Sequence, residues 1–206
     1  MTLSKYIPLT KKQLIGVVSD YAALFPEWEV VAGGIGIARE CGPVKQMIWF
    51  QKMTYAAYRP THVINTTALS SPRMLHQLLD IRNREIEYRA HESKLRSVVT
   101  AMEKQFIPNV RRPLDVSEVL KLCEVEARRN VSNDLMMLAI LYAWLGRDAE
   151  ALEACAMMQV APLPELASVP EREEQLKTYG RSLANALKHG EARQFIEASM
   201  EELKGR

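Results

Sequence analysis

The stretch VKQMIWFQKMTYAAYRPTHVINTTAL, residues 44–69, decides the fold because it has the firmest β-strand pattern in the chain. Within residues 44–53, side chains alternate with period two and fall on opposite faces of a strand. One face carries Val44, Gln46, Ile48 and Phe50, and the other carries Lys45, Met47, Trp49 and Gln51. Both faces hold large apolar groups, so we expect an inner strand that a helix covers on at least one side.

Two neighbouring segments predict further strands. Residues 61–69 are rich in Thr, Val and Ile, which favour strands. Residues 28–39 carry Val and Ile around a glycine-rich run, and residues 40–43 are typical of a turn. Pro60 cannot donate a ladder hydrogen bond and belongs at a strand start or an edge. The simplest arrangement is a small antiparallel meander of about three strands, 28–39, 44–53 and 61–69.

Helices are predicted on both sides of this sheet. Thr10 and Gln13 form a capping box that begins the first helix. Ser71 and Pro72 predict a second start, with serine as the cap and proline in the first turn. From residue 73 to about 106 a broken apolar stripe runs without proline or glycine, which predicts one long helix or two.

The last part of the chain is predicted to be helical throughout. Helices are expected at about 115–130, 132–146, 148–159, 171–188 and 191–204. Residues 107–113 contain two prolines and a basic pair and form the best linker candidate. The sequence therefore predicts an α+β part, residues 1–112, followed by an all-α array of helical hairpins, residues 113–206.

The charge distribution changes at the same place. The chain has 27 Lys and Arg and 25 Asp and Glu, for a net charge of +2. Residues 1–112 carry 16 basic and 9 acidic side chains, or +7, whereas residues 113–206 carry 11 and 16, or −5. This asymmetry indicates two subdomains, or two surfaces with different partners.

Cysteine usage and hydropathy predict a cytoplasmic protein. Cys41, Cys123 and Cys155 are odd in number and lack paired spacing, which favours free thiols in a reducing compartment. No run approaches the roughly 20 apolar residues that span a bilayer. The N-terminal residues lack the apolar core and cleavage site of a signal peptide. We expect no membrane partner.

Two resemblances accompany these patterns. Residues 138–152 resemble the helix–turn–helix centre of a tetratricopeptide repeat, with Ala139, Ala143 and Ala151 as small contacts and Gly146 as the turn. No second copy follows at that repeat's spacing of about 34 residues. The resemblance covers one repeat and implies a helical hairpin.

Residues 33–67 resemble a group of small bacterial α+β proteins with a Gly-Pro turn, an aromatic strand and a Tyr-Arg-Pro segment. The residues that carry this resemblance are Gly42, Pro43, Gln46, Ile48, Phe50, Tyr58 and Pro60. Some members of that group are encoded beside toxin genes and are regarded as immunity proteins. The resemblance implies a protein that binds and neutralises a cognate toxin, and it brings no catalytic residues.

No pattern in the chain predicts catalysis, a cofactor or a metal. The glycine run at 33–36 lacks the lysine of a phosphate-binding loop and favours a bend. None of His62, His76, His91 and His189 has the short spacing of a zinc site. A fold that brings His62 near His76 and Cys41 is the alternative left open.

The exposed side of residues 73–112 is basic, but acidic residues are interleaved with the basic ones. Glu85 with Arg89 and Glu92 with Arg96 have the spacing of helix ion pairs. This dilution favours a solvated face or a patch for an acidic protein over a nucleic-acid site. Nucleic-acid binding or regulation through 73–112, and a helical-repeat adaptor, are the alternative functions.

A non-catalytic role in protein binding is the function that we predict. The sharpest form of this hypothesis is an immunity-type protein that occludes the active site of a toxin. Tyr and Arg are enriched at binding hot spots. The predicted contact residues are Tyr55, Tyr58, Arg59, Arg82, Arg84 and Arg89.

Overall fold

The computed structural model describes residues 7–70, 75–81, 85–126, 132–160 and 170–204. The chain has an α+β fold with a helical C-terminal region, as the sequence predicted. The N-terminal elements are α1 (Lys11–Leu24), β1 (Glu29–Val30), β2 (Gly36–Cys41), β3 (Val44–Lys52), β4 (Ala57–Thr66), β5 (Leu75–Leu78), β6 (Ile86–Glu87), a 3-10 turn (Tyr88–Ala90) and α2 (His91–Gln105). The C-terminal helices are α3 (Val116–Glu126), α4 (Ser132–Trp144), α5 (Asp148–Val160), α6 (Pro170–Lys188) and α7 (Ala192–Lys204).

Contacts divide the chain into two compact units. The sheet unit consists of the described residues within Met1–Glu40, Lys45–Ile64 and Met74–Leu114. The helical unit consists of those within Cys41–Val44, Asn65–Arg73 and Asp115–Arg206. Neither unit is a continuous stretch of chain, because the tip between β2 and β3 and the end of β4 are grouped with the C-terminal helices.

The strands form one antiparallel sheet in the order β1-β2-β3-β4-β5, and β6 also pairs with β4. Since β3 occupies one edge of β4, both β5 and β6 lie along its other edge. Thr61 pairs with Leu78, and Tyr58 pairs with Ile86 farther along the same edge. Together β5 and β6 act as one edge strand that residues 79–85 interrupt.

Helices α1 and α2 cover one face of this sheet, which we call the inner face. Thr10 and Gln13 cap α1 reciprocally: the Thr10 hydroxyl accepts from Gln13 N, and Gln13 Oε1 accepts from Thr10 N. The shared core takes Val17 and Tyr21 from α1, and Val98 and Met102 from α2. From the strands come Ile37, Ile48, Phe50 and Tyr58. The predicted alternation of β3 is confirmed, because Ile48 and Phe50 point to the helices while Trp49 between them is exposed.

The predicted strand count was too low, and one predicted helix is wrong in its first half. The segment 28–39 is split into β1 and β2 by a turn in which Gly33 and Gly34 have positive φ. The segment 73–106 contains β5 and β6 before α2 begins at His91. Its apolar stripe suited a helix, but pairing with β4 makes the first described part extended. Ser71 and Pro72, the predicted start, lie outside the described residues.

The predicted linker also differs from the structure at its N-terminal end, because residues 106–110 are docked on the sheet unit. Val110 is fully buried, and its carbonyl accepts a hydrogen bond from Trp28 Nε1 at 3.3 Å. The carbonyls of Pro108 and Asn109 also accept hydrogen bonds from side chains of the sheet. This stretch is therefore part of the core.

The helical unit contains two hairpins with matching turns, 44 residues apart in the chain. Gly146 joins α4 to α5 with φ 73°, and Gly190 joins α6 to α7 with φ 72°. In the first turn Arg147 N donates to Tyr142 O at 2.9 Å, and in the second Glu191 N donates to Ala186 O at 2.9 Å. A left-handed glycine with this backbone bond is a common way to end a helix. The helices of the second hairpin were predicted at 171–188 and 191–204, but its separation of 44 residues from the first is not the spacing of a tetratricopeptide repeat.

No helix among the described residues has both the length and the apolar character needed to cross a bilayer.

Candidate functional site

The structure separates the four predicted contact residues that it describes, Tyr55, Tyr58, Arg59 and Arg89. Arg59 lies on the face of the sheet opposite α1 and α2, which we call the outer face, and Tyr55 lies half-buried in the turn before β4. The Arg89 side chain is 86% exposed in the 3-10 turn. Tyr58 is fully buried on the inner face, where no partner surface reaches it. Arg82 and Arg84 lie outside the described residues.

An exposed apolar row crosses the outer face beside Arg59. Backbone hydrogen bonds from Met53 N to Ala57 O and from Thr67 N to Pro43 O fix one register between β3 and β4. This register places Trp49 opposite Thr61, and Thr61 is itself opposite Leu78 on β5. Trp49 is 37% exposed and Leu78 is 47% exposed, whereas Thr61 between them is buried. Three adjacent strands thus present two large apolar side chains on a rigid support.

The charges around this row are arranged as ion pairs. Arg59 Nη2 lies 2.7 Å from Glu85 Oε1, and both side chains are largely buried. Arg89 Nε lies 2.6 Å from Glu87 Oε2 at the surface. The predicted Glu85–Arg89 helix pair does not form, because residue 85 precedes the helix and its carboxylate pairs with Arg59. Within the described ranges, Arg59 Nε is buried without a hydrogen-bond partner.

A buried polar network fills the inner face near β4 and β5. Gln46 Nε2 lies 2.8 Å from Pro108 O and 2.9 Å from His62 Nε2, while Gln46 Oε1 accepts from Arg39 Nε at 2.7 Å. His62 Nδ1 lies 2.8 Å from Gln77 Oε1, which also accepts from Ile107 N. The His62 ring stacks on Phe106 with centroids 4.8 Å apart. The network joins four strands, β2, β3, β4 and β5, to the docked segment 106–110.

These contacts select one form of His62. The two hydrogens of Gln46 Nε2 are used by Pro108 O and His62 Nε2, so the latter nitrogen accepts and Nδ1 carries the proton toward Gln77. Burial, together with the nearby Arg39 charge, lowers the pKa of His62 to about 4, although the Gln77 hydrogen bond acts in the opposite direction. His62 is therefore a neutral structural residue at pH 7.

A second hydrogen-bonded chain runs from the core to the surface. The hydroxyls of Tyr21 and Tyr58 are 3.1 Å apart, and Tyr58 Oη lies 2.7 Å from His91 Nδ1. His91 Nε2 lies 3.0 Å from a carboxylate oxygen of Asp20, whose side chain is half-exposed. Burial raises the pKa of both tyrosines. Tyr58, a predicted contact residue, thus serves to connect α1, β4 and α2.

The histidines of these networks do not combine into a metal site in the part of the chain that the structure describes. Cross-strand pairing gives His62 the partner Gln77 and places His76 opposite Val63, so the two histidines point to opposite faces. Within the described residues, no three His, Cys, Asp or Glu side chains form a group that could hold a metal ion. Cys123 and Cys155 are buried, and burial raises the pKa of the Cys155 thiol to about 11. The thiol of Cys155 is protonated at neutral pH.

The outer face is therefore the candidate site, and the sequence had identified only part of it. Tyr55 and Arg59 were among the predicted contact residues, and Trp49 was not. Leu78 was missed because its segment was assigned to a helix. Comparisons with protein-family models, with curated proteins and with solved structures found no match to this chain.

Proposed function

We propose that this chain is a non-catalytic protein-binding module whose outer face contacts a partner protein. The observation that carries the proposal is the row of Trp49, Thr61 and Leu78 beside Arg59. Tryptophan and arginine on a rigid surface are typical of binding hot spots. Tyr55 and Arg89 are included as contacts, and Arg82 and Arg84 remain predictions. Tyr58 is excluded as a direct contact because it is buried.

The narrower form of the proposal is an immunity-type protein that neutralises a cognate toxin by occlusion. It is supported by the resemblance of residues 33–67 and by the placement of those residues in the structure. Ile48, Phe50 and Tyr58 build the inner face that holds β3 and β4 in position. The resemblance thus falls on residues that build the core of the sheet unit, beside the exposed row.

The experiment compares capture of partners by the full chain and by surface variants. The double variant Trp49→Ala/Leu78→Ala is expected to weaken binding of the partner at least 30-fold, because truncation of a hot spot costs about 2 kcal/mol or more. Val160→Ala is the control, since Val160 is a strongly exposed apolar residue of the helical unit. Isothermal titration calorimetry then measures Kd for the captured protein. Equal Kd values for all three proteins would contradict the assignment of the face.

A second comparison tests the charged contact. Arg89→Ala is expected to weaken binding by about threefold, as exposed ion pairs contribute little. Arg193→Ala is the matched control, because Arg193 is also an exposed arginine in an ion pair, with Glu197. A larger loss in the control than in Arg89→Ala would remove Arg89 from the contact set.

Expression of the captured partner in cells tests the proposed immunity role. The captured partner, expressed alone, is expected to arrest growth, and coexpression of the wild-type chain is expected to restore it. The Trp49→Ala/Leu78→Ala variant should fail to restore growth at the same cellular level. If the partner is harmless when it is expressed alone, the immunity role is wrong, whereas the protein-binding function is still supported.

Salt dependence separates this function from nucleic-acid binding. In the described part of residues 73–112, Arg89 and Arg111 each pair with a glutamate, which reduces the charge available to phosphates. A nucleic-acid complex would lose affinity steeply and linearly with the logarithm of the salt concentration. We expect no such dependence for the outer face, which binds largely through apolar contacts.

A further inference from the structure

The docked segment 106–110 covers His62 on the inner face of the sheet. The His62 side chain is fully buried, and the Phe106 ring is stacked on it with centroids 4.8 Å apart. Ile107 N donates to Gln77 Oε1 at 2.9 Å, and the same oxygen lies 2.8 Å from His62 Nδ1. Movement of the docked segment away from the sheet would therefore open the imidazole to water.

The side-chain amide of Gln46 has one orientation in this network. Its Oε1 accepts from Arg39 Nε at 2.7 Å, and the nitrogens of a guanidinium group only donate. Its Nε2 lies 2.8 Å from Pro108 O, which only accepts. Both neighbours require the same orientation, so the amide points its NH₂ group at His62 Nε2, 2.9 Å away.

This orientation leaves no acceptor for a second proton on His62. The neutral ring accepts at Nε2 and donates from Nδ1 to Gln77. A proton on Nε2 would place two donors against each other. Rotation of the Gln46 amide would supply an acceptor, but it would break the hydrogen bonds to Arg39 and to Pro108 O. Protonation of His62 therefore removes a hydrogen bond that holds the docked segment on the sheet.

The charges around His62 also favour the neutral ring. Burial lowers the pKa of His62, and Arg39 of β2 adds to this effect through its positive charge. The partners of His62 from β3, β5 and the docked segment are uncharged. Glu103 of α2 is paired with Arg111, and His62 forms no ion pair with a carboxylate among the described residues. The charged ring is thus better accommodated in water than beneath the docked segment.

We propose that the docked segment is an acid-released latch, which leaves the sheet when His62 takes up a proton. The segment follows α2 and leads to Asp115, where the helical unit resumes. Its release would therefore lengthen the free connection between the two units. The latch goes beyond the proposed function of the outer face and does not depend on it.

Amide hydrogen exchange of the full chain, followed by NMR from pH 7 to pH 4, tests the latch. The reporter is Ile107 N, and the reference is Phe50 N, which donates to Ile35 O within the sheet. Each observed rate is compared with the intrinsic rate at the same pH. We expect Ile107 to be less protected than Phe50 throughout. Its protection should fall about 100-fold from pH 7 to pH 4, because the released state restores the ordinary pKa of His62.

Low concentrations of urea separate release of the latch from unfolding of the whole chain. Local opening exposes little surface, so urea should hardly change the exchange of Ile107 while it accelerates that of Phe50. Equal protection of the two amides with the same response to urea would overturn the proposal, because water would then reach His62 only on global unfolding. Protection of Ile107 that does not depend on pH would overturn it as well.

Two histidine variants assign the pH dependence to one residue. His62→Gln removes the titrating ring and should leave the protection of Ile107 nearly constant from pH 7 to pH 4. His76→Gln is the matched control, because His76 is an exposed histidine of β5, and it should keep the wild-type dependence. The opposite result in either folded variant would contradict the proposal, and the wild-type measurement decides by itself if His62→Gln does not fold. Partner capture by the outer face is unaffected by any of these results.

Discussion

The two units of this protein differ in the buried polar side chains that they contain. The sheet unit buries Gln46, His62 and His91 and satisfies them with side-chain networks. The helical unit, over its described residues, has an almost entirely apolar interior, with Thr66 and Asp134 as its buried polar residues. Unpaired buried polar groups are costly, so the stability of the sheet unit depends on the hydrogen bonds of these three side chains. The helical unit depends on how closely its backbones and side chains fit.

The largest loss of stability is expected at Gln46, which lies at the centre of the buried polar network of the sheet unit. Gln46→Ala would leave His62 Nε2 and Pro108 O without their partner and remove a hydrogen bond from Arg39. Breaking a buried network of this size destabilises by roughly 4 kcal/mol. Urea denaturation measures the change in the free energy of unfolding.

Gln51→Ala is the matched control, because Gln51 lies on the same strand but is exposed. It should change the free energy of unfolding by less than about 0.5 kcal/mol. Similar losses for both variants would show that the network does not determine the stability of the sheet unit.

Acid is expected to have the next largest effect, through His62. Its folded pKa of about 4 is lower than the ordinary value of 6.5, so the unfolded chain binds the proton more readily. The neutral imidazole therefore contributes stability that is fully present above pH 6.5 and is lost as pH falls toward 4. This difference in the pKa of His62 corresponds to about 3 kcal/mol in the free energy of unfolding.

His62→Gln provides the reference, since it removes the titrating group and keeps a polar side chain. The free energy of unfolding is measured from pH 7 to pH 4 for both proteins. Between pH 7 and pH 4 the wild-type free energy of unfolding should fall by about 3 kcal/mol more than that of the variant. Parallel curves would mean that His62 does not titrate differently on unfolding.

Close packing in the helical unit is tested at Gly42. This glycine has φ 54°, and an added Cβ would lie 2.6 Å from the Trp144 indole ring. Gly42→Ala is expected to destabilise by about 2 kcal/mol, because backbone strain adds to displacement of a rigid ring. Gly190→Ala, which has φ 72° and open space around it, should show the strain alone, about 1 kcal/mol. Equal losses would indicate that the ring moves freely.

Gly42 also shows what local sequence patterns reveal and what they do not. The segment 40–43 was predicted to be a turn and Gly146 to be the turn of a helical hairpin, and both turns are present. Neither motif predicted that Trp144 packs against Gly42. Short-range chemistry predicts turns and caps, whereas contacts between distant segments are set by the assembled fold.

The same limit explains the errors in the sheet unit. The Thr10–Gln13 cap and the alternation of β3 were predicted because each is determined within a few residues. Strand β5 was missed because its residues fit a helical stripe and only pairing with β4 makes them extended. Leu78 therefore appeared in no predicted site. His62 was noted, but its partners come from positions 46 and 77, which no spacing rule connects.

The smallest loss of stability is expected at Tyr58, which belongs to the hydrogen-bonded chain of Tyr21, Tyr58, His91 and Asp20. Tyr58→Phe keeps the ring that packs on Phe50 but removes hydrogen bonds to Tyr21 and His91. We expect a loss of about 1 kcal/mol, less than for Gln46→Ala, because His91 retains the solvent-accessible carboxylate of Asp20. Tyr88→Phe, at an exposed tyrosine, is the control and should change the free energy of unfolding little.

Partner affinity should be unchanged in Tyr58→Phe, because a buried hydroxyl that only joins α1, β4 and α2 contributes to folding and not to the outer face. A large loss of affinity with little loss of stability would instead return Tyr58 to the binding site.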